Sequence, residues 1–355
     1  MKLVRFTNED RYVKDFLKLP KMLYGSSNNT EDPSSMKSIL LSTHPLSKYF
    51  SLDRFLVYSD NGKITGRFCI TSYEGDDTAY FGFFECVNNS EAAKFLFDSA
   101  YSFCRDKGYK CIIGPVDASF WIKYRLKINK FEDPYTGEPY NLEYYRALFE
   151  DNGYKMCEHY TSNVFHSIDE TYVNQKFEGR YNEFIANGYE IRSPGPEEFE
   201  TAIGEVYDLI SVLYSHFPVF KGLSKEDFTE VFRSYRSIVD FSMTKMAYYG
   251  GKAVGFYITV PDFGNAVYHI NNPFNIAKIL YTKKKPSRFV MLYMGVDADH
   301  RGLGKAISYA VMKELRENGC QSISALIRDG NVNQKYVTED ITDIYEYALF
   351  KIDIR

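Results

Sequence analysis

Phe289-Val-Met-Leu-Tyr-Met-Gly-Val296, running into Asp297-Ala-Asp-His-Arg-Gly-Leu-Gly-Lys-Ala306, is the stretch on which the reading of this chain turns. Its first part is apolar and β-favouring, a strand expected over Arg288–Val296. Small residues at 302, 304 and 306 then open an amphipathic helix expected over Arg301–Asn318, which Gly319 ends before a further strand at Ser322–Ile327. Glycines at such a junction let backbone N–H groups approach a ligand without a Cβ in the way. Successive N–H groups at a helix N-terminus favour an anion, and Arg301 and Lys305 add positive charge. The physics asks for a phosphate or pyrophosphate there. The dinucleotide fingerprint Gly-x-Gly-x-x-Gly is excluded, because Ile307 holds the third glycine position. A Walker loop is excluded too, because Ala306 stands where Ser or Thr is needed.

Outward from this stretch, short strands alternate with helices. Tyr189–Arg192, Thr244–Tyr249 and Ala253–Val260 read as strands, and Pro196–Ser215 and Lys225–Tyr235 as helices. Ser167–Gly188 reads as a polar connecting helix. The first half repeats the order: strands at Leu3–Thr7, Arg54–Ser59, Lys63–Ser72 and Ala79–Cys86, a helix at Ser90–Lys107 closed by Gly108, and a strand at Cys111–Ile113. A loop over Gly114–Pro139, a helix at Asn141–Glu150 and a strand near Met156–Phe165 follow. Laying Gly108 on Gly319 superposes Ala79–Gly108 on Val290–Gly319 without a gap. Upstream, Gly62-Lys63 falls on Gly251-Lys252 and Gly66 on Gly255, which leaves extra residues of the second half within Asp262–Ser287. In the first half the loop becomes Ser90-Glu-Ala-Ala-Lys94-Phe95, where Glu91 puts a negative charge at the anion position.

Arg301-Gly-Leu-Gly304-Lys-Ala306, in this strand–loop–helix–strand context, resembles the Arg/Gln-x-x-Gly-x-Gly/Ala pyrophosphate loop of the GNAT acyl-CoA N-acyltransferases. The resemblance spans roughly Gly188 to the C-terminus and, more faintly, the first half. It implies an α/β fold of two tandem GNAT-like domains, each a mixed, mostly antiparallel sheet flanked by helices. The expected domains are residues 1–180, a degenerate copy without the cofactor loop, and residues 181–355, with the acyl-CoA site. Tandem arrangements of mycothiol synthase and N-myristoyltransferase are similar. The implied activity is transfer of an acyl group, commonly acetyl, from acyl-CoA to a primary amine of a small molecule or peptide. Arg301, Gly302, Gly304, Lys305 and Ala306 would hold the diphosphate, and the backbone around Met294–Val296 the thioester carbonyl. Family members often place an acid tyrosine, preceded by an asparagine contacting the cofactor arm, on a helix after the fifth strand. Tyr336 and Asn331 are those candidates, with Asn333, Tyr345 and Tyr347 as substitutes. The usual Tyr-x-x-Leu-Gly-Phe ending is missing. Glu339, His269 and Asp262 are conceivable bases, and none stands out.

Composition trims the alternatives. A net charge of -4 gives no bulk attraction to nucleic acid or an anionic membrane. The six cysteines form no C-x-x-C pair and sit mostly in apolar runs, as reduced buried thiols would. No stretch is apolar enough to span a bilayer, and the expected location is cytoplasmic. Aromatic residues make up 17% of the chain and read as packing. Neither G-x-S-x-G, H-E-x-x-H nor a metal-spaced Cys/His cluster occurs. Two rivals share the fold: a non-catalytic acyl-CoA binder, and an aminoacyl-tRNA-dependent transferase of the Fem type. The Fem type lacks an intact CoA loop and often carries a coiled-coil insertion, and neither trait fits. The segment Asp262–Ser287 reads as a solvated excursion rather than a lid.

Overall fold

The computed structural model describes residues 1–25, 28–331 and 336–355. In chain order the elements are β1 (Lys2–Phe6), α1 (Asp10–Tyr24), α2 (Pro33–Leu40), β2 (Ser51–Tyr58), β3 (Ile64–Ser72), β4 (Thr78–Cys86) and α3 (Ser90–Asp106). Then come β5 (Cys111–Gly114), the short β6 (Val116–Asp117), β7 (Lys123–Tyr124) and β8 (Leu126–Lys127), α4 (Tyr145–Asp151) and β9 (Lys155–Phe165). The rest of the chain forms α5 (Gln175–Ala186), β10 (Tyr189–Arg192), α6 (Phe199–Leu213), α7 (Lys225–Arg233), β11 (Lys245–Tyr249) and β12 (Lys252–Pro261). It ends with α8 (Pro273–Lys284), β13 (Arg288–Val296), α9 (Leu303–Asn318), β14 (Gln321–Arg328) and β15 (Ile341–Asp353).

The chain divides into two compact units. One holds Met1–Pro134, Glu138–Tyr160 and Tyr345–Arg355; the other holds Tyr135–Gly137 and Thr161–Ile344. This corrects the boundary expected near residue 180. Helix α5 packs on α9 of the second unit, where the Tyr309 hydroxyl donates to Glu178 (2.8 Å). The C-terminal segment joins the first unit instead, with Phe350–Asp353 pairing antiparallel to Cys111–Gly114.

Each unit carries the same strand arrangement. In the first, β1-β2-β3-β4 pair antiparallel in sequence and β4 then pairs parallel with β5. In the second, β10-β11-β12-β13 pair antiparallel and β13 pairs parallel with β14. The parallel step needs a crossover, which α3 and α9 supply. The repeat seen in the sequence is physical. A Cβ on Gly66 would meet Leu96 of α3 at 2.7 Å, and one on Gly255 would meet Ile307 of α9 at 2.8 Å. Both helices therefore lie close on the third strand because that strand has no side chain there.

The aromatic content goes into packing in the first unit. Phe81, Phe84, Phe97, Phe149 and Tyr154 pack with centroids such as 5.3 Å for Phe81–Phe97 and 5.0 Å for Phe97–Phe149. Phe184, Val254, Leu303, Ile307 and Val311 centre the core of the second. All six cysteines are unbridged and all but Cys157 are buried. Among the described residues no helix is long and apolar enough to cross a membrane.

A charge is also buried in the first unit. Glu85 lies on β4 with Tyr145 donating to it (2.5 Å) and Arg67 3.8 Å away. Burial pushes its carboxyl up to about 7, the neighbouring guanidinium opposing the shift without cancelling it. A carboxylate whose folded pKa is raised stabilises the fold while protonated, and that stability is lost as pH rises from the unfolded value through about 7. Glu85→Gln should therefore melt above wild type at pH 8 and close to it at pH 5. Thermal denaturation at the two pH values checks this, and an unchanged difference contradicts it.

Candidate functional site

Pairing between β13 and β14 runs from Arg288–Gln321 to Met291–Ser324 and stops, although β13 continues to Val296 and β14 to Arg328. A bulge helps part them. Ile258 and Thr259 of β12 pair with Tyr293 and Met291, so Leu292 is the extra residue on β13. On β14, Leu326 takes a left-handed φ of 59° while its N–H donates to Ser162 Oγ (2.9 Å). Past the bulge, the Met294 carbonyl accepts from the Tyr214 hydroxyl (3.0 Å), while the Asp297 N–H goes to Val254 of β12 (2.9 Å). Alternation along the strand then turns the N–H groups of Met294 and Val296 toward the edge where β14 has parted.

The loop after β13 is fixed at three points. The Asp297 carboxylate accepts from the Asp299 N–H (3.1 Å), and the His300 N–H goes to the Asp297 carbonyl (3.0 Å). The His300 ring is hydrogen-bonded to the Tyr189 hydroxyl (2.7 Å), and Tyr189 stacks on Tyr249 with centroids 4.3 Å apart. Gly302 caps α9 in the left-handed region (φ 93°) without a side-chain hydrogen bond, and no acid lies in the first turn. The helix thus begins at Leu303, two residues later than expected. Arg301 is exposed and Lys305 half-buried beside this turn.

Above Gly304 the expected residues meet. A Cβ there would come 2.8 Å from Met294 Cε, 3.1 Å from the Tyr336 hydroxyl and 3.8 Å from a Val296 methyl. The Tyr336 ring lies 5.8 Å from Lys305 Nζ and packs edge-on to Phe177. Burial raises the Tyr336 pKa. The helix expected around Tyr336 is not found among the described residues: β14 ends at Arg328, and Tyr336 lies in a bend before a single turn at Thr338–Asp340. Asn331 sits in the turn after β14, its N–H on the Arg328 carbonyl (3.1 Å); Asn333 lies outside the described residues. Tyr345 and Tyr347 belong to the first unit, where they donate to Glu132 (3.0 Å) and Glu138 (2.5 Å). Asp262 is engaged by Arg288 (2.5 Å), and Ala306 is buried in the α9 core.

Sequence reasoning missed three contributors. Arg180 of α5 holds its guanidinium 3.6 Å from the Cβ position of Gly302. Lys176, one turn earlier on the same face, stands close to Lys305. Burial, then Lys176 and Arg180, press the Lys305 pKa below its ordinary value. Their i, i+4 spacing was the available signal, on a helix that reads as a connector. Tyr257 of β12 is the third: its hydroxyl reaches Met291 Sδ (3.2 Å) where the strands part, and burial pushes it up to about 12.

The first unit closes the same place from within. A Cβ on Gly82 would lie 1.8 Å from the Val116 carbonyl oxygen, so β6 fills the space beside β4. The Phe83 N–H, at the repeat position of Met294, donates to the Asp117 carboxylate (2.5 Å), and the Cys86 N–H to the Tyr145 hydroxyl (3.2 Å). Asn89 caps α3 by accepting from the Ala92 N–H (2.8 Å), and Glu91 occupies the first turn.

The sequence matches no protein-family model and no curated protein. Solved structures do match. A tandem GNAT protein from the clavulanic acid biosynthesis pathway superposes with a TM-score of 0.55 and 11% identity over 100% of this chain and 98% of its own. A GCN5-related N-acetyltransferase from Sphaerobacter thermophilus gives 0.50 and 12% over 99% and 96%. The GCN5-related glucosamine N-acetyltransferase region of a fungal multi-domain β-N-acetylglucosaminidase gives 0.53 and 14% over 99% of this chain and 38% of that one. The chain has the GNAT-type fold in tandem form.

A lysine held among like charges costs stability below its depressed pKa, and the cost is relieved as pH rises toward the unfolded value near ~10. Lys305→Met should therefore raise the melting temperature at pH 7 by about 1–3 °C, the gain shrinking toward pH ~10. Inorganic pyrophosphate should raise the wild-type melting temperature more than the variant's. Differential scanning fluorimetry with and without pyrophosphate measures both effects.

Proposed function

We propose that this chain is an acyl-CoA-dependent N-acyltransferase, its second unit taking the acyl donor and passing the acyl group to a primary amine. The observation that carries the reading is the parting of β13 from β14 beside a helix start that has neither a side-chain cap hydrogen bond nor an acid in its first turn and lies among cations. Arg301, Lys305 and the N–H groups of the α9 first turn suit the donor's diphosphate, and Arg180 and Lys176 add charge from α5. The gap past Met291–Ser324 gives the thioester arm a place to lie. The backbone around Met294–Val296 runs along that gap and suits a carbonyl oxygen that gains negative charge as the amine attacks.

Attack forms the C–N bond and breaks the C–S bond; the amine loses a proton and the leaving thiolate gains one. Tyr336 and Tyr257 both have their pKa raised by burial, which keeps them protonated at neutral pH and suits them to donate. Tyr336 is the stronger candidate acid, because its hydroxyl lies against Gly304 and Met294. The acyl donor is read as acetyl-CoA or another acyl-CoA, and the acceptor as a small-molecule or peptide amine. In the first unit the filled gap, the capped helix and Glu91 support a scaffold role without a donor site.

Gly304→Ala tests the site without threatening the fold. The new methyl meets mobile ends, Met294 Cε and the Tyr336 hydroxyl, and alanine in a helix is favoured over glycine by about 1 kcal/mol. Calorimetric titration with CoA should give micromolar binding to the wild type, at least about tenfold weaker binding to Gly304→Ala, and unchanged or raised thermal stability. No CoA binding to the wild type overturns the reading. For the chemistry, thiol release from acetyl-CoA with a panel of primary amines should fall about 10- to 100-fold in kcat for Tyr336→Phe, with CoA affinity nearly kept. Binding without turnover on any amine would leave a donor-binding protein.

A further inference from the structure

Helix α8 is the main addition of the second unit over the first, inserted between β12 and β13 where the first unit has only a short turn between β3 and β4. None of its residues is buried. Asn275, Ile279 and Thr282, at i, i+4 and i+7, form its half-buried side. The opposite side carries Phe274, Ile276, Ala277, Leu280 and Tyr281, all exposed: Phe274 by 84%, Tyr281 by 67% and Leu280 by 65%. Ile270, just before the helix, is 59% exposed. Single exposed apolar residues are ordinary, but a contiguous face of them on one helix marks a surface meant to be covered.

Charge identifies what covers it. Lys278 and Lys283 flank the apolar face on either side, and Lys284 and Lys285 stand at its C-terminal end. No Asp or Glu occurs between Asp262 and Asp297, in a chain whose net charge is -4. A second copy of this helix would set lysines against lysines, so self-pairing through this face is disfavoured. A basic rim around aromatic and aliphatic side chains matches an anionic lipid surface, with rings entering the acyl boundary and ammonium groups at the head groups. We propose that α8 is a peripheral membrane-docking helix that binds bilayers containing anionic phospholipid. The weak bulk charge read from the composition does not oppose this, because the patch is local and screening limits the rest of the surface to short range. Strand β13 starts at Arg288, next to α8, and ends at Val296, at the Arg301–Ala306 loop. Eight steps of strand put these ends about 26–27 Å apart, so docking through α8 leaves the loop open to water.

Co-sedimentation of the full chain with vesicles tests the proposal. Vesicles of phosphatidylcholine with phosphatidylglycerol should pellet the wild type at low salt, less at physiological salt, and phosphatidylcholine alone should not. Phe274→Ser with Tyr281→Ser should abolish pelleting. Lys278→Glu and Lys284→Glu should each weaken it by about fivefold or more. All four residues are exposed, so melting temperatures should match the wild type and show that the variants fold. Equal pelleting by both vesicle types, or none by either, overturns the proposal. So does a dimer in light scattering that Phe274→Ser with Tyr281→Ser dissolves, since a second copy would then cover the face.

Discussion

Where two parallel strands stop pairing, their facing N–H and C=O groups must find other partners or a ligand. In the second unit β13 and β14 pair only as far as Met291–Ser324, and the rest of the candidate site follows from that. The chain must cross over from β13 to β14 through a helix, so the N-terminus of α9 is delivered to the end where the strands open. A backbone edge and a helix start are thus set side by side by topology alone. Residue identity then decides what the place holds. In the first unit Asp117, Tyr145 and Asn89 satisfy it from within. In the second, Gly302 starts the helix without a side-chain cap and Lys305 lies in its first turn.

The cations carry a cost that the fold does not recover by itself. Lys176, Arg180 and Lys305 approach one another at a helix end whose dipole is already positive. Arg180 has Glu183 at 2.6 Å, and Glu178, the other acid of this stretch, is engaged by Tyr309. An arrangement of this kind is destabilising in isolation and becomes favourable when an anion arrives, the usual trade of stability for a preorganised site.

The motif around Arg301–Ala306 was legible because everything it needs is local: a buried strand, small residues where the backbone must come close, and a helix. The repeat was legible for the same reason, since Gly66 with Leu96 and Gly255 with Ile307 are packing pairs at matched positions. What escaped was non-local. Helices α1 and α2 were passed over, though Phe16, Leu19, Ile39 and Leu40 are buried in the first unit. The C-terminal strand finds β5 across more than half the chain, a pairing that no window of sequence contains. Arg180 and Lys176 look like solvated charges on a connecting helix until α5 is seen against α9. Tyr336 lies against Gly304, but not on the helix expected around it, which the described residues do not form.

The tyrosines also limit how the chemistry can be shared. Burial raises the pKa of both Tyr257 and Tyr336, and Tyr336 adds to the cost of ionising Tyr257. A phenol in that state stays protonated at neutral pH, so it can hydrogen-bond or donate toward a leaving sulfur but cannot take a proton from an ammonium group. In the acyl transfer proposed above, the acceptor's proton would leave by a path other than these phenols. Asp262 is held by Arg288, and Met294, Tyr336 and Val296 supply the atoms nearest the Gly304 Cβ position.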